Sequence, residues 1–195
     1  MEYSYEFFKA SADYVKSIVP YTPEVAIVLG SCLGPFADTI EDPIVIDYKD
    51  IPNFLVSTVA SHAGKLIFGT VAGKKVVCMS GRFHTYEGYD FEQLVIPVRL
   101  FKLLGVKATI LTNAAGAVNV DYRPGDIMIV SDHIKLTGHS PLRGKNIEEF
   151  GPRFFDVSRM YTPELRAHAL KCAEGTDLTV HEGVYYFFTG PQFET

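Results

Sequence analysis

The chain has 195 residues, 47% of them apolar, with 14 Phe and 11 Tyr, which predicts one globular domain over 1–195 with a sizeable core. Its formal net charge of −5 argues against a nucleic-acid-binding surface, because phosphate backbones attract basic proteins. No apolar run approaches the roughly 18 residues of a membrane span. The first residues lack a signal-type core, and Cys32, Cys78 and Cys172 have no paired spacing. We therefore expect a cytoplasmic protein with free thiols.

Helical and strand-like patterns alternate along the chain. Apolar spacings of three and four residues predict helices over 3–19 and 91–104, with Pro97 kinking the second or marking its first turns. One or two short strands are expected within 44–59. Further strand-like runs occur at 24–29, 65–71, 75–80, 107–112, 127–130 and 182–189. A short glycine-containing link between 65–71 and 75–80 predicts a hairpin, so the sheet is not wholly parallel.

The second half is less regular. Residues 139–155 have no periodicity, and a loop of this length is usually functional or an oligomer contact. Thr162 is a plausible cap for a helix whose first position is Pro163. The whole pattern predicts an α/β fold with a mixed, mostly parallel central sheet flanked by helices.

The stretch after the run 75–80 carries the main chemical signal. Arg82, His84 and Tyr86 alternate along it, so in an extended segment their side chains would share one side. A guanidinium, an imidazole and a phenol suit an anionic ligand that carries hydroxyls, such as phosphate plus a sugar. The alternative is an exposed loop that is merely polar.

Two other segments could belong to the same site. Glycines and Ser31 follow the strand-like run 24–29, where free amides could approach an anion; an ordinary strand-to-helix turn is the alternative. The small side chains of 113–117 could admit a ligand to the backbone, or could only allow tight packing. His62 precedes one hairpin strand and Arg82 follows the other, which places them at the same sheet edge.

Other chemistries fit less well. The six histidines lack the spacing and companion ligands of a zinc site, so no metal is expected. Ser31 is not in a G-x-S-x-G hydrolase motif. Cys32 is more simply a small, buried apolar residue than a reactive thiol.

Five stretches, taken together and in this order, carry a resemblance. They are GSCLG at 30–34, SHAG at 61–64, GRFHTYEG at 81–88, TNAAG at 112–116 and GPQFET at 190–195. Through them the chain resembles the trimeric, low-molecular-mass purine nucleoside phosphorylases over essentially its whole length. The stretch around Arg82 is specific to this family, whereas glycine turns of this kind occur in many proteins.

The resemblance implies a role for each matching residue. Phosphate would be bound by Ser31, His62, Arg82, His84 and the backbone amide of Ala114. Tyr86 would hold the ribose. The purine would contact Ala114, Phe193 and Glu194, and Phe154 would reach the site of a neighbouring subunit. His84 and Glu194 would be the catalytic residues.

The implied activity is phosphorolysis of purine nucleosides, with phosphate as a co-substrate, no metal or organic cofactor, and a homotrimeric assembly. Two other hypotheses stay open: a methylthioadenosine phosphorylase, and a catalytically silent protein or fragment that binds phosphate or nucleosides.

The chain departs from the family pattern at two points. Cys32 stands where the family turn has glycine, and its Cβ would crowd the turn if φ is positive. Family chains also continue beyond the last motif, through segments that carry further contacts to purine and ribose. We therefore expect the sheet to be incomplete at its C-terminal part.

Overall fold

The computed structural model describes residues 3–56 and 64–192. Two compact units make up the chain: unit 1 comprises Met1–Ala114 and His139–Gly151, and unit 2 comprises Ala115–Gly138 and Pro152–Thr195. Over the ranges described, none of the helices has the length and apolar character of a membrane span.

The described residues of unit 1 form three helices and five strands. The helices are α1 Tyr5–Ile18, α2 Phe91–Leu94 and α3 Ile96–Leu104, and the strands are β1 Val25–Val28, β2 Glu41–Asp47, β3 Lys65–Val71, β4 Lys74–Ser80 and β5 Ala108–Leu111. Short 3₁₀ turns lie at Gly34–Thr39, Tyr48–Asp50, Thr85–Glu87 and Glu148–Phe150. The predicted hairpin is confirmed as β3 and β4.

The five strands form one mixed sheet in the order β2-β3-β4-β1-β5. Strand β1 is parallel to both β4 and β5, whereas β3 is antiparallel to both β2 and β4. The predicted α/β fold with a mixed sheet and flanking helices is confirmed, but the five-stranded sheet is not mostly parallel, because two of its pairings are parallel and two are antiparallel. The reason is the link at Ala72 and Gly73, where φ is 48° and 76°. Such a tight turn reverses the chain, so β4 returns beside β3.

Helices α1 and α3 of unit 1 pack their apolar sides against one face of the sheet. Ser4 caps α1 by accepting a hydrogen bond from the Phe7 amide at 3.3 Å. Val15 of α1 and Phe101 of α3 pack in the same cluster as Phe68 of β3, and all three are buried. The helix predicted over 91–104 is two helices, because the chain breaks at Val95 and Pro97 lies in the first turn of α3.

As far as the structure describes it, unit 2 contains two parallel strands, β6 Ile127–Ile134 and β7 Val180–Tyr186, and one helix, α4 Pro163–Ala173. Pro163 begins α4 as predicted, but the Thr162 side chain makes no capping hydrogen bond. Gly125 takes a φ of 100° in the turn that leads into β6.

Candidate active site

Three strand ends meet at one edge of the sheet. Because β4, β1 and β5 are parallel, the residues after them leave the sheet at the same side. Ser31 follows β1, Arg82 follows β4 and Ala114 follows β5. The carboxyl edge of parallel strands is where open α/β sheets bind ligands, so the topology brings these three candidate residues to a common edge.

The ends of β1 and β5 are bonded to each other through Thr112. Its hydroxyl donates to the Val28 carbonyl at 2.8 Å and accepts from the Gly30 amide at 2.8 Å. A Cβ on Gly30 would lie 2.7 Å from the Thr112 carbonyl oxygen and 2.8 Å from the Asn113 Cα. Only glycine allows this approach. The Gly30 amide is therefore bound to Thr112 rather than directed at a ligand.

The turn after Gly30 carries Ser31 and Cys32, and the Leu33 amide closes it on the Gly30 carbonyl at 3.2 Å. Cys32 has a φ of 68°, as the third residue of a type II turn requires, and glycine is favoured there. Cys32 is exposed. The prediction that it is a buried apolar residue is wrong, because this turn projects from the sheet edge.

The loop after β4 holds a chain of polar contacts. The Arg82 Nε donates to the His84 Nε2 at 3.0 Å, and the Arg82 Nη1 donates to the Thr112 carbonyl at 2.8 Å. The His84 Nδ1 lies 2.8 Å from the Glu87 Oε1, which also accepts from the His84 amide at 2.9 Å. A carboxylate only accepts and a guanidinium only donates. The neutral His84 ring therefore carries its proton on Nδ1 and presents the Nε2 lone pair.

Tyr86 lies beside this chain of contacts. Its ring stacks on His84 with centroids 4.6 Å apart and planes 16° from parallel, and 49% of the residue is exposed. The segment is extended at His84 and then enters the turn Thr85–Glu87. The two rings share a side through stacking, rather than through continued strand alternation.

Tyr48 is a buried residue that supports the same edge of the sheet. It is 1% exposed, its hydroxyl donates to the Gly81 carbonyl at 2.6 Å, and its amide donates to the Gly64 carbonyl at 2.8 Å. Burial raises the pKa of the Tyr48 hydroxyl well above its usual value, so the group stays a donor. Phe54 and Phe83 pack against its ring.

Three supporting residues were missed by the sequence reasoning: Tyr48, Glu87 and Thr112. Glu87 could have been found, because it stands three residues after His84, within reach of that ring in a tight turn. Tyr48 and Thr112 offered no local signal, because their partners lie at the ends of other strands, far away in sequence.

The remaining candidates are not brought together by the described structure. His62, Phe193 and Glu194 lie outside the described residues. Phe154 belongs to unit 2 and is 89% exposed. Within 3–56 and 64–192, no three His, Cys, Asp or Glu residues are grouped to hold a metal ion. Cys78 is buried, which raises the pKa of its thiol to about 11.

Residues 24–195 match the family described as the phosphorylase superfamily, which is the class that this sheet and its polar carboxyl edge define. Purine nucleoside phosphorylase 1 of Bacillus subtilis is 48% identical over 185 residues, covering 95% of this chain and 68% of the relative. The Rattus norvegicus purine nucleoside phosphorylase is 43% identical over 199 residues, covering 100% of this chain and 69% of the relative. The chain therefore belongs to the purine nucleoside phosphorylases of this superfamily.

The fold agrees with solved structures of this family. Isoform 2 of the Schistosoma mansoni purine nucleoside phosphorylase, solved with cytosine and ribose-1-phosphate, superposes with a TM-score of 0.92 at 43% identity, covering 98% of this chain and 69% of that one. A Schistosoma mansoni purine nucleoside phosphorylase solved with inosine gives the same TM-score, identity and coverage.

Proposed function

We propose that this chain catalyses the phosphorolysis of purine ribonucleosides and deoxyribonucleosides. A phosphate oxygen bonds to C1′ of the sugar, the bond from C1′ to the purine nitrogen breaks, and the products are the free purine and ribose or deoxyribose 1-phosphate. The observation that carries this proposal is the Arg82–His84–Glu87 chain at the carboxyl edge of the sheet. Relatives named purine nucleoside phosphorylase support it.

Arg82 and His84 would bind different parts of the phosphate. Hydrogen phosphate has charged oxygens and one P–O–H group. The Arg82 guanidinium suits the charged oxygens, and the His84 Nε2 is an acceptor for the P–O–H once phosphate displaces the Arg82 Nε. Glu87 holds the ring in the tautomer that leaves Nε2 unprotonated. The P–O–H proton finally leaves with the purine, which balances the reaction.

The other residues of the site complete the proposal. Ser31, His62 and the Ala114 amide would supply further donors to the phosphate. Tyr86, stacked on His84, would lie against the ribose. Ala114, Phe193 and Glu194 would contact the purine, with Glu194 accepting hydrogen bonds as electrons flow into the base.

This arrangement needs no protein nucleophile, because phosphate is the nucleophile. Positioning the two substrates and stabilising charge would supply the catalysis, so we propose that no metal or organic cofactor takes part. We also propose that units 1 and 2 form one phosphorylase domain, since the family match runs through both. A cytoplasmic homotrimer, with Phe154 at the neighbouring subunit's site, belongs to the same proposal.

The test is phosphate-dependent release of hypoxanthine from inosine by the 195-residue chain, together with phosphate binding measured by calorimetry. Arg82→Ala removes a charge-assisted donor and should weaken phosphate binding by about 10- to 100-fold while inosine binding changes less. Arg82→Lys should recover part of the loss, and Lys102→Ala, on the exposed side of α3, is the control for lost charge.

Three outcomes would contradict the proposal. One is turnover of methylthioadenosine without turnover of inosine, which would favour the related phosphorylase. Another is phosphate or nucleoside binding without any turnover, which would indicate a silent binding protein. The third is an equal loss of phosphate and inosine affinity in Arg82→Ala.

A further inference from the structure

We infer that Thr112 is a positioning residue for phosphate, and that it sets the turn bearing Ser31 and the side chain of Arg82 relative to one another. The inference rests on the proposed function, because it concerns the same phosphate site. Thr112 itself would touch no substrate.

The first half of the inference concerns the hydroxyl of Thr112. It accepts a hydrogen bond from the Gly30 amide at 2.8 Å and donates one to the Val28 carbonyl at 2.8 Å. The Thr112 amide donates to the same Val28 carbonyl at 3.1 Å. Gly30 immediately precedes Ser31, so the hydroxyl fixes the point from which the Ser31 turn leaves the sheet.

The second half concerns the carbonyl of Thr112. It accepts a hydrogen bond from the Arg82 Nη1 at 2.8 Å. Arg82 follows β4 and Thr112 follows β5, with β1 between these strands. The guanidinium therefore reaches across the end of β1 to the residue whose hydroxyl holds Gly30. One residue thus holds both the serine turn and the arginine.

The close packing at this point makes the hydroxyl difficult to replace. A Cβ on Gly30 would lie 2.7 Å from the Thr112 carbonyl, so little space separates the two backbones. Without the hydroxyl, the Gly30 amide loses its acceptor while the Val28 carbonyl keeps the Thr112 amide. A part-buried donor without its acceptor costs stability, and moving the turn to reach water would displace Ser31.

The experiment compares Thr112→Val, which keeps the shape and removes the hydroxyl, with Thr112→Ser, which keeps the hydroxyl. Thr109→Val is the matched control, because Thr109 lies on β5, three residues before Thr112, and is exposed. Phosphate and inosine affinities are measured on each full 195-residue variant by calorimetry. Hydrogen exchange at the Gly30 amide is measured by NMR.

Thr112→Val should weaken phosphate binding by about tenfold, leave inosine binding within about threefold, and speed exchange at the Gly30 amide. Thr112→Ser should keep both properties close to wild type, and Thr109→Val should change neither. Wild-type phosphate affinity in Thr112→Val, or equal losses in the valine and serine variants, would overturn the inference. A wild-type chain that binds no phosphate would instead overturn the proposed function, and the positioning role with it.

Discussion

Units 1 and 2 differ in how many apolar side chains they bury. Among the described residues, every buried apolar side chain belongs to unit 1, including Phe68, Val77 and Leu100, each 1% exposed or less. In unit 2, the helix α4 has no buried residue, and Val118 and Val120 are 87% and 84% exposed. Unit 1 therefore derives its stability from burial, whereas unit 2 has little burial of its own.

Polar pairs connect the elements of unit 2. The Asp126 carboxylate lies 2.8 Å from the His181 Nε2 and joins the turn before β6 to β7. Arg166 of α4 pairs with Glu182 of β7. Two-stranded sheets are marginal by themselves, and partly exposed ion pairs add little. The described part of unit 2 should therefore lose little stability when a single polar pair or a single exposed apolar side chain is removed.

The comparison bears directly on function. The supporting residues Tyr48 and Thr112 belong to unit 1, where their carbonyl and amide partners are fixed by a packed sheet. Binding groups placed on rigid elements keep their geometry better than groups on loops. The proposed phosphate-binding residues of unit 1 are thus attached to a packed sheet that can hold them in place.

The largest expected effect is the loss of core packing in unit 1. Phe68→Ala removes a fully buried ring and should lower the free energy of unfolding by about 3–5 kcal/mol. Phe155→Ala, in unit 2 at 53% exposure, should change it by less than about 0.5 kcal/mol. Urea denaturation of both variants is the measurement. Similar losses in the two variants would show that the contrast between the units is wrong.

A smaller effect is expected at two of the turns that need a positive φ, one in each unit. The turn before β6 in unit 2 has a glycine, Gly125, at this position. The turn after β1 in unit 1 has Cys32, with a φ of 68°. Cys32→Gly removes the steric cost of a Cβ and adds unfolded-state entropy, so the net gain should be about 1 kcal/mol or less.

Thermal unfolding measures the change in this variant. Cys32→Ala is the control, since it removes the thiol but keeps the Cβ, and its stability should stay close to wild type. If alanine stabilises as much as glycine, the backbone argument fails. Loss of phosphate binding in a folded Cys32→Gly variant would show that the thiol has a role.

The smallest effect is expected at the Asp126–His181 pair. The backbone amide of Arg123, and then the His181 side chain, lower the pKa of Asp126. A lowered pKa means that this stabilisation is present above the unfolded-state value of about 3.9 and is lost as the pH falls through the folded-state value.

Asp126→Asn should therefore make unit 2 less sensitive to acid below about pH 4, as followed by NMR signals of β6 and β7. Asp177→Asn, an exposed change in the same unit, is the control and should leave the acid response unchanged. An acid response identical in wild type and Asp126→Asn would contradict the assignment.

Local patterns in the sequence were enough to predict much of unit 1. Apolar spacing predicted α1, and the link at residues 72–73 predicted the β3–β4 hairpin. The alternation of Arg82 and His84 pointed to an anion, and the two side chains are in contact in the structure. Each of these features depends on neighbours a few residues apart, which the sequence displays directly.

Apart from the β3–β4 hairpin, the tertiary structure alone decided how the strands pair and what supports the site. The order β2-β3-β4-β1-β5 places β1 between β4 and β5, and only this order brings Thr112 to Gly30 and Arg82. The positive φ of Cys32 and the buried hydroxyl of Tyr48 also follow from folding. These contacts join residues far apart in sequence, and their geometry depends on packing that no local pattern encodes.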